Sequence, residues 1–409
     1  MDLVQSPSSQ SQTTTRERRP SIGVGRNNHC VSEFFVVVAH GAPEALCEIA
    51  AAAAVEANID KETKADLPPF VQWLNNFRFK GEVVDRYPMA AVSASGTQFP
   101  DGIPIFCMPN GLIVSHSPPP PSYFVFVTTA SSGERLYGHC LTIHDPMSST
   151  LVDTLQASYD ALGCASSALS SANITSTVMS PSSNTLTATS TPTSATATTT
   201  TTTATPAATS NAAPQLFASK CLCLVTKFPF LVQCHNFLTS LYQITMSIND
   251  IPIERYICNF INEVPLPPPG KAEVQYGILD KILIFTRPPL NQPILDVDLP
   301  FRRVFECLTP TTILTLFNCL LLEQKILMHS FQLSLLTDVA ELLQAFMYPM
   351  SWGHVYVPVL PSGLFDVIKA PMPFLLGTNS AWMDDAFHED VLNQVDDVVR
   401  LDIDTSTIV

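Results

Sequence analysis

The chain has 409 residues, with 21 Lys and Arg against 36 Asp and Glu, a formal charge of −15 and 46% apolar residues. That length suggests two or three domains with ordinary cores. The acidic balance excludes a nucleic-acid partner, whose phosphates need a surplus of Lys and Arg, and a purely electrostatic anchor on anionic lipid. The 11 cysteines are scattered without a C-x-x-C pair. They read as buried cytosolic thiols rather than as a secreted disulfide framework.

Residues 1–30 are polar, have no apolar core that could serve as a signal peptide, and are expected to be disordered. Phe34 to Val38 is a buried strand, followed by an Ala-rich helix from about Pro43 to Ala57. Residues 60–100 are mixed. Ile105 to Met108 and Leu112 to Val114 flank Pro109-Asn110-Gly111, which predicts a hairpin. Tyr123 to Thr128 and Arg135 to Ile143 flank Ala130 to Gly133 and predict a second one. A weak helix from about Ser148 to Leu162 closes this part. Antiparallel sheet with helices makes residues 31–162 an α+β unit.

Residues 163–215 are almost entirely Ser, Thr and Ala, with Pro181, Pro192 and Pro206 interspersed. Such a segment cannot bury enough area to offset roughly 1–2 kcal/mol of backbone entropy per residue. It reads as a low-complexity linker.

Residues 216–383 have a different rhythm. Cys221 to Val225 is a short apolar strand, and Pro229 opens a helix with Leu231, Cys234, Leu238, Leu241 and Tyr242 on one face. A second helix from Ile253 to Val264 ends at Pro265 to Gly270, and Ile282 to Phe285 is a strand. Thr309 as cap and Pro310 in the first turn begin a helix that runs to about Glu323. Lys325 to His329 is a strand, Leu336, Val339, Ala340, Leu343 and Met347 repeat at helical spacing, and Val355 to Val357 is the next strand. Strand, helix, strand predicts a right-handed βαβ crossover and a parallel α/β sheet, with binding loops at the carboxyl ends of its strands. Residues 384–409 are acidic, with Arg400 the single basic residue, and read as a mostly solvated tail. No apolar run approaches the roughly 18 residues of a membrane-spanning helix.

Catalytic signatures are missing: there is no G-x-S-x-G, H-E-x-x-H or G-x-x-x-x-G-K-[ST]. The histidines do not cluster, so neither a metal site nor a cofactor site is expected. His354, between Trp352 and Tyr356, reads as structural rather than as a general base, because no nucleophile motif accompanies it. Glu323 and Lys325 sit at a helix-to-strand corner, where they either touch a partner or form a solvated helix end. Ser117 to Pro121 is either a polyproline ligand or a rigid connector to the strand that follows.

Several segments together carry a resemblance. The first part contains VVDRYP (83–88), FPDGIPIFCMPNGL (99–112) and SPPPPSYFVFVTTASSGERLYGHCLTIHDP (117–146). The second contains KCLCLVTKFPF (220–230), IERYICNFINEVPLPPPG (253–270), LPFRRVFECLTPTTILTLFNCLLLEQKILMHS (299–330), SWGHVYVPVLP (351–361) and APMPFLLG (370–377). In this order they resemble the DENN-domain family. The resemblance implies a longin-like antiparallel upstream module, a central α/β module and a helical downstream module. The closing VVRLDIDTSTIV resembles only the start of the last, so a product lacking that module is expected.

The resemblance further implies guanine-nucleotide exchange on a Rab-family small GTPase in vesicle trafficking, with no covalent chemistry and no cofactor. The alternatives are a scaffold that binds a GTPase without exchange and, much weaker, a hydrolase built around His354. Cytoplasmic location with peripheral, partner-driven membrane association would follow. The residues expected at the GTPase-facing groove are Trp352, His354, Tyr356, Glu323, Lys325 and the Pro118 to Pro121 turn. No individual family contact maps onto them.

Overall fold

The computed structural model describes residues 29–41, 79–129, 133–157, 159–160, 215–247, 251–289, 300–383 and 397–408, together with Phe70 and Val395. The expected disorder before residue 29, the Ala-rich helix at 43–57 and nearly all of the linker lie outside the described residues.

Strand β1 (Ser32–His40) shows why the first sheet forms. Phe34, Val36 and Val38 point to one core while Phe35 and Val37 point to another, the period of two expected of a strand buried on both faces. β2 (Gly81–Tyr87) pairs antiparallel with β1, in a stretch the sequence left unassigned. β4 (Ser122–Thr129) and β5 (Arg135–Pro146) form the expected hairpin, with Gly133 at a φ of 83° in the turn. The first predicted hairpin is wrong. Ile103–Cys107 is a short helix, α1, and only Val114–Ser115 (β3) is extended. Pro104 sits in the first turn of α1, where its missing N–H costs nothing and where a strand would have lost a ladder bond. The Asn-Gly turn itself exists: Gly111 N–H donates to Met108 O at 2.9 Å.

The antiparallel sheet has the order β2-β1-β6-β5-β4, with β3 beside β6. β6 (Phe217–Thr226) follows the low-complexity segment in sequence, yet it lies between β1 and β5. The Cys221 to Val225 strand assigned to the second part is thus the middle of the first sheet. One face is covered by α2 (Leu231–Met246), α3 (Ile253–Glu263) and the hairpin of β7 (Gly270–Ile278) and β8 (Lys281–Arg287). Phe237 stacks on Phe260 there, with ring centroids 3.9 Å apart.

A second sheet follows α4 (Phe301–Cys307) and α5 (Pro310–Leu321). Thr309 caps α5 as expected, its hydroxyl accepting from Thr312 N–H at 3.2 Å. The strands are β9 (Lys325–Ser330), β10 (Val355–Val357), β11 (Phe374–Asn379), β12 (Val398–Asp402) and β13 (Thr407–Ile408), in the order β10-β11-β9-β12-β13. β9 to β12 are parallel, so the predicted crossover is present, with β11 inserted between its two strands. The crossover helix α6 (Leu333–Phe346) is buried on nearly every side, against β9 and β11 on one flank and β4 on the other.

The acidic tail is corrected as well. β12 lies beside β9, and Leu401 and Ile403 are fully buried. Asp404 accepts from Ser330 Oγ and from Phe331 N–H, both at 2.8 Å. Asp402 closes β12 and, with Asp404, accepts turn hydrogen bonds, while Leu401 and Ile403 between them carry the burial. Among the described cysteines, Cys107, Cys140, Cys221, Cys223 and Cys234 are buried and Cys30, Cys258, Cys307 and Cys319 are half-buried, all as free thiols. No single described helix is long and apolar enough to cross a membrane.

Candidate functional site

The two sheets meet through α6, and beside that junction a cleft of ≈ 810 Å³ opens. It lies at the carboxyl ends of β9 and β11, where parallel strands release their loops. Pro121 and Tyr123 line it from the first sheet; His235, Arg303, Phe331 and Asp338 line it from the rest of the chain. Arg303 reaches in from α4. One guanidinium nitrogen donates to Asp338 Oδ2 at 2.9 Å and the other to Ser334 Oγ at 2.7 Å and Gln332 Oε1 at 3.3 Å. Burial pushes the Asp338 carboxyl up to about 6, against the pull of Arg303. Tyr123 stacks on His235 at 4.3 Å, and its hydroxyl donates to Leu231 O at 3.0 Å. Behind it, the fully buried His139 sits 2.9 Å from that hydroxyl, and desolvation lowers its pKa to about 3, so the ring is neutral. Phe331 is 67% exposed at the rim, an aromatic anchor held by its backbone bond to Asp404.

The residues singled out from sequence do not form one group. Glu323 stands one residue past the C-cap of α5 with a φ of 52°. Its N–H donates to Leu320 O and that of Gln324 to Cys319 O, both at 3.0 Å, a Schellman ending with Glu where Gly is usual. Glu323 Oε1 lies 3.3 Å from His354 Nε2, and the His354 ring meets the edge of Trp352 at 5.1 Å. Trp352 is buried, its indole N–H donating to Val355 O at 3.1 Å, and Tyr356 is buried, its hydroxyl donating to Glu341 Oε1 at 2.7 Å. Both rings hold the segment down; Glu323 and half-buried His354 are the parts that meet solvent. Lys325 opens β9. Glu323, Lys325 and His354 therefore sit at the amino ends of the parallel strands. Pro118 and Pro121 are exposed, and Pro121 lines the cleft at the opposite, carboxyl end. The sequence reading missed Arg303, Asp338 and Phe331. An aspartate on the apolar stripe of α6 was the one local signal; the Phe331 rim position follows only from the topology.

Residues 217–406 match the model of the DENN (AEX-3) domain, and residues 81–143 match that of the uDENN domain. The chain belongs to the DENN-domain family. In this DENN-domain chain both matches enter one antiparallel sheet: the uDENN residues supply β2, β4 and most of β5, while the DENN match opens with β6 between β5 and β1. The cleft is likewise lined from both, by Pro121, Tyr123 and their neighbours from the uDENN match and by His235, Arg303, Phe331 and Asp338 from the DENN match. The cleft thus combines an exposed aromatic at its rim, an Arg303–Asp338 ion pair and prolines in its lining.

Proposed function

We propose that this chain is a guanine-nucleotide exchange factor for a Rab-family small GTPase in membrane trafficking. DENN domains are in general Rab exchange modules, and the observation that carries the reading is a cleft lined jointly by the two matched segments. Such a factor performs no covalent chemistry. It binds the nucleotide-free GTPase more tightly than the loaded form, holding the switch segments away from Mg²⁺ and phosphate. A preference of about 10⁴-fold corresponds to about 5.5 kcal/mol, within reach of an interface with a few aromatic anchors. The GTPase then brings the chain to membranes, and the chain itself works in the cytoplasm as a peripheral partner.

In this reading Phe331 and Pro121 form the cleft-side contact. Glu323, Lys325 and His354 form a second contact at the other strand ends, backed by Trp352 and Tyr356. The test is release of fluorescent GDP from a panel of Rab proteins by the full chain. Acceleration of at least one supports exchange. Binding without acceleration would mark a scaffold, and neither would sink the reading. Phe331→Ala is expected to weaken GTPase binding at least tenfold, about 1.4 kcal/mol. Unchanged affinity in both His354→Ala and Lys325→Ala, with folding checked by circular dichroism, would remove those residues from the contact.

A further inference from the structure

The core on the face of the first sheet opposite α2 and α3 contains a group of thiols. Cys140 on β5 and Cys223 on β6 are direct register partners, and Cys221 projects from the same face of β6 two residues away. Cys107, the last residue of α1, comes down onto them from outside the sheet. The Cys107, Cys140 and Cys223 sulfurs all lie within 4.8 Å of one another, and the Cys107–Cys140 pair is at 3.8 Å. Cys221 lies beside this trio on the same face of β6, one pleat along from Cys223. All four side chains are at most 1% exposed. Cys234, by contrast, is a buried thiol in the opposite core, among aromatic and aliphatic neighbours.

We propose that Cys107, Cys140, Cys221 and Cys223 form a structural site for a thiophilic cation, zinc in the first place. Tetrahedral zinc with Zn–S bonds of about 2.3 Å sets its sulfurs about 3.8 Å apart, the spacing already present between Cys107 and Cys140. The Cys107, Cys140 and Cys223 sulfurs, all within 4.8 Å of one another, supply three ligand positions, and Cys221, two residues from Cys223 on the same face of β6, is assigned the fourth. All-sulfur ligation selects soft metals and disfavours Mg²⁺ and Ca²⁺. Binding deprotonates the thiols and releases their protons to solvent. It takes place as the sheet closes, because a sealed core offers no later entry, so the ion couples α1 to β5 and β6 during folding. The proposal is independent of the exchange reading.

The full chain should be produced with zinc in the medium, purified under reducing conditions and analysed by elemental mass spectrometry. The expected result is about one zinc per folded chain. Refolding with Co²⁺ instead should give thiolate-to-cobalt charge-transfer absorption and tetrahedral visible bands. The paired variant Cys140→Val with Cys223→Val replaces sulfur by similar apolar volume; it should keep its circular dichroism yet lose both metal signals. If that variant fails to fold, the wild-type stoichiometry and cobalt spectrum still decide. A folded wild-type chain with less than about a tenth of an equivalent of zinc and no cobalt band overturns the site. So does zinc content unchanged in the folded variant, or a disulfide among these four cysteines in the native protein.

Discussion

Gly138 on β5 faces Phe126 on β4 as a register partner, and a Cβ at that position would overlap the phenyl ring. The ring fills the space a side chain would take, the aromatic cover that makes glycine acceptable inside an antiparallel pair. Gly138→Val is expected to drive Phe126 out of its place against Phe106 and to destabilise the fold by about 1–3 kcal/mol, read as a lowered midpoint in urea. His139, the next residue, has a defined effect on acid stability. Its pKa is about 3 in the fold against an ordinary 6.5. Between those values the unfolded chain binds a proton that the folded chain refuses, so this residue makes stability fall as pH drops from 6.5 toward 3. Asp338 has the opposite sign. Its carboxyl is raised from 3.8 to about 6, so the folded chain holds the extra proton and stability falls as pH rises through that window. The His139 shift is the larger. His139→Gln should therefore flatten the acid limb of a stability-against-pH curve measured by chemical denaturation; an unchanged limb would show that other groups carry it.

At the scale of elements, α6 explains why so apolar a helix stays folded and single. Its stripe has no solvent side because it is sandwiched between two sheets, and three of its polar groups are matched: Thr337 donates to Val125 O, Asp338 pairs with Arg303, and Glu341 accepts from Tyr356. Arg135 at the start of β5 ties the sheets together from outside. Its guanidinium lies 4.6 Å from the centre of the Tyr356 ring and donates to Gln344 Oε1 and to Trp352 O. Arg135→Ala is expected to cost about 1–3 kcal/mol and to speed amide exchange selectively in the segment around β10. Exchange unaltered there would mean that apolar packing alone holds the junction. Elements with local chemistry are legible in the sequence. The Thr309-Pro310 start of α5 and the β9–α6–β10 crossover depend on neighbours within a turn or two. β7 is marked by the alternation of Ala272, Val274, Tyr276 and Ile278, a signal the sequence reading left unused, whereas β11 and α4 are short and start directly after Pro373 and Pro300, which hides their periods.

For the whole molecule, the decisive feature is the place of β6. Met147 N–H donates to Leu216 O at 2.8 Å, and Pro146 pairs with Phe217, so the chain leaves and re-enters the sheet at adjacent points. A fragment ending at residue 162 would lack the strand between β1 and β5 and is expected not to fold, which circular dichroism and thermal melting would reveal. Replacing 163–213 by about ten Gly and Ser residues should leave the fold intact and stabilise it by about 1 kcal/mol, since loop-closure entropy grows only with the logarithm of length. Loss of folding in that shortened chain would show that the segment contributes contacts of its own.

From the sequence alone came the family resemblance, the α+β then α/β order, the α5 cap and the absence of catalytic motifs. Each of these depends on residue type and short-range spacing. Only the tertiary structure decided that a strand beyond the low-complexity segment completes the first sheet and that Trp352 and Tyr356 are core. It also decided that Glu323 and His354 sit at the end of the strands opposite Pro121, and that cysteines far apart in the chain share one pocket. Those outcomes depend on which strand pairs with which. Pairing is settled by the burial of both faces at once, over separations that no local pattern encodes.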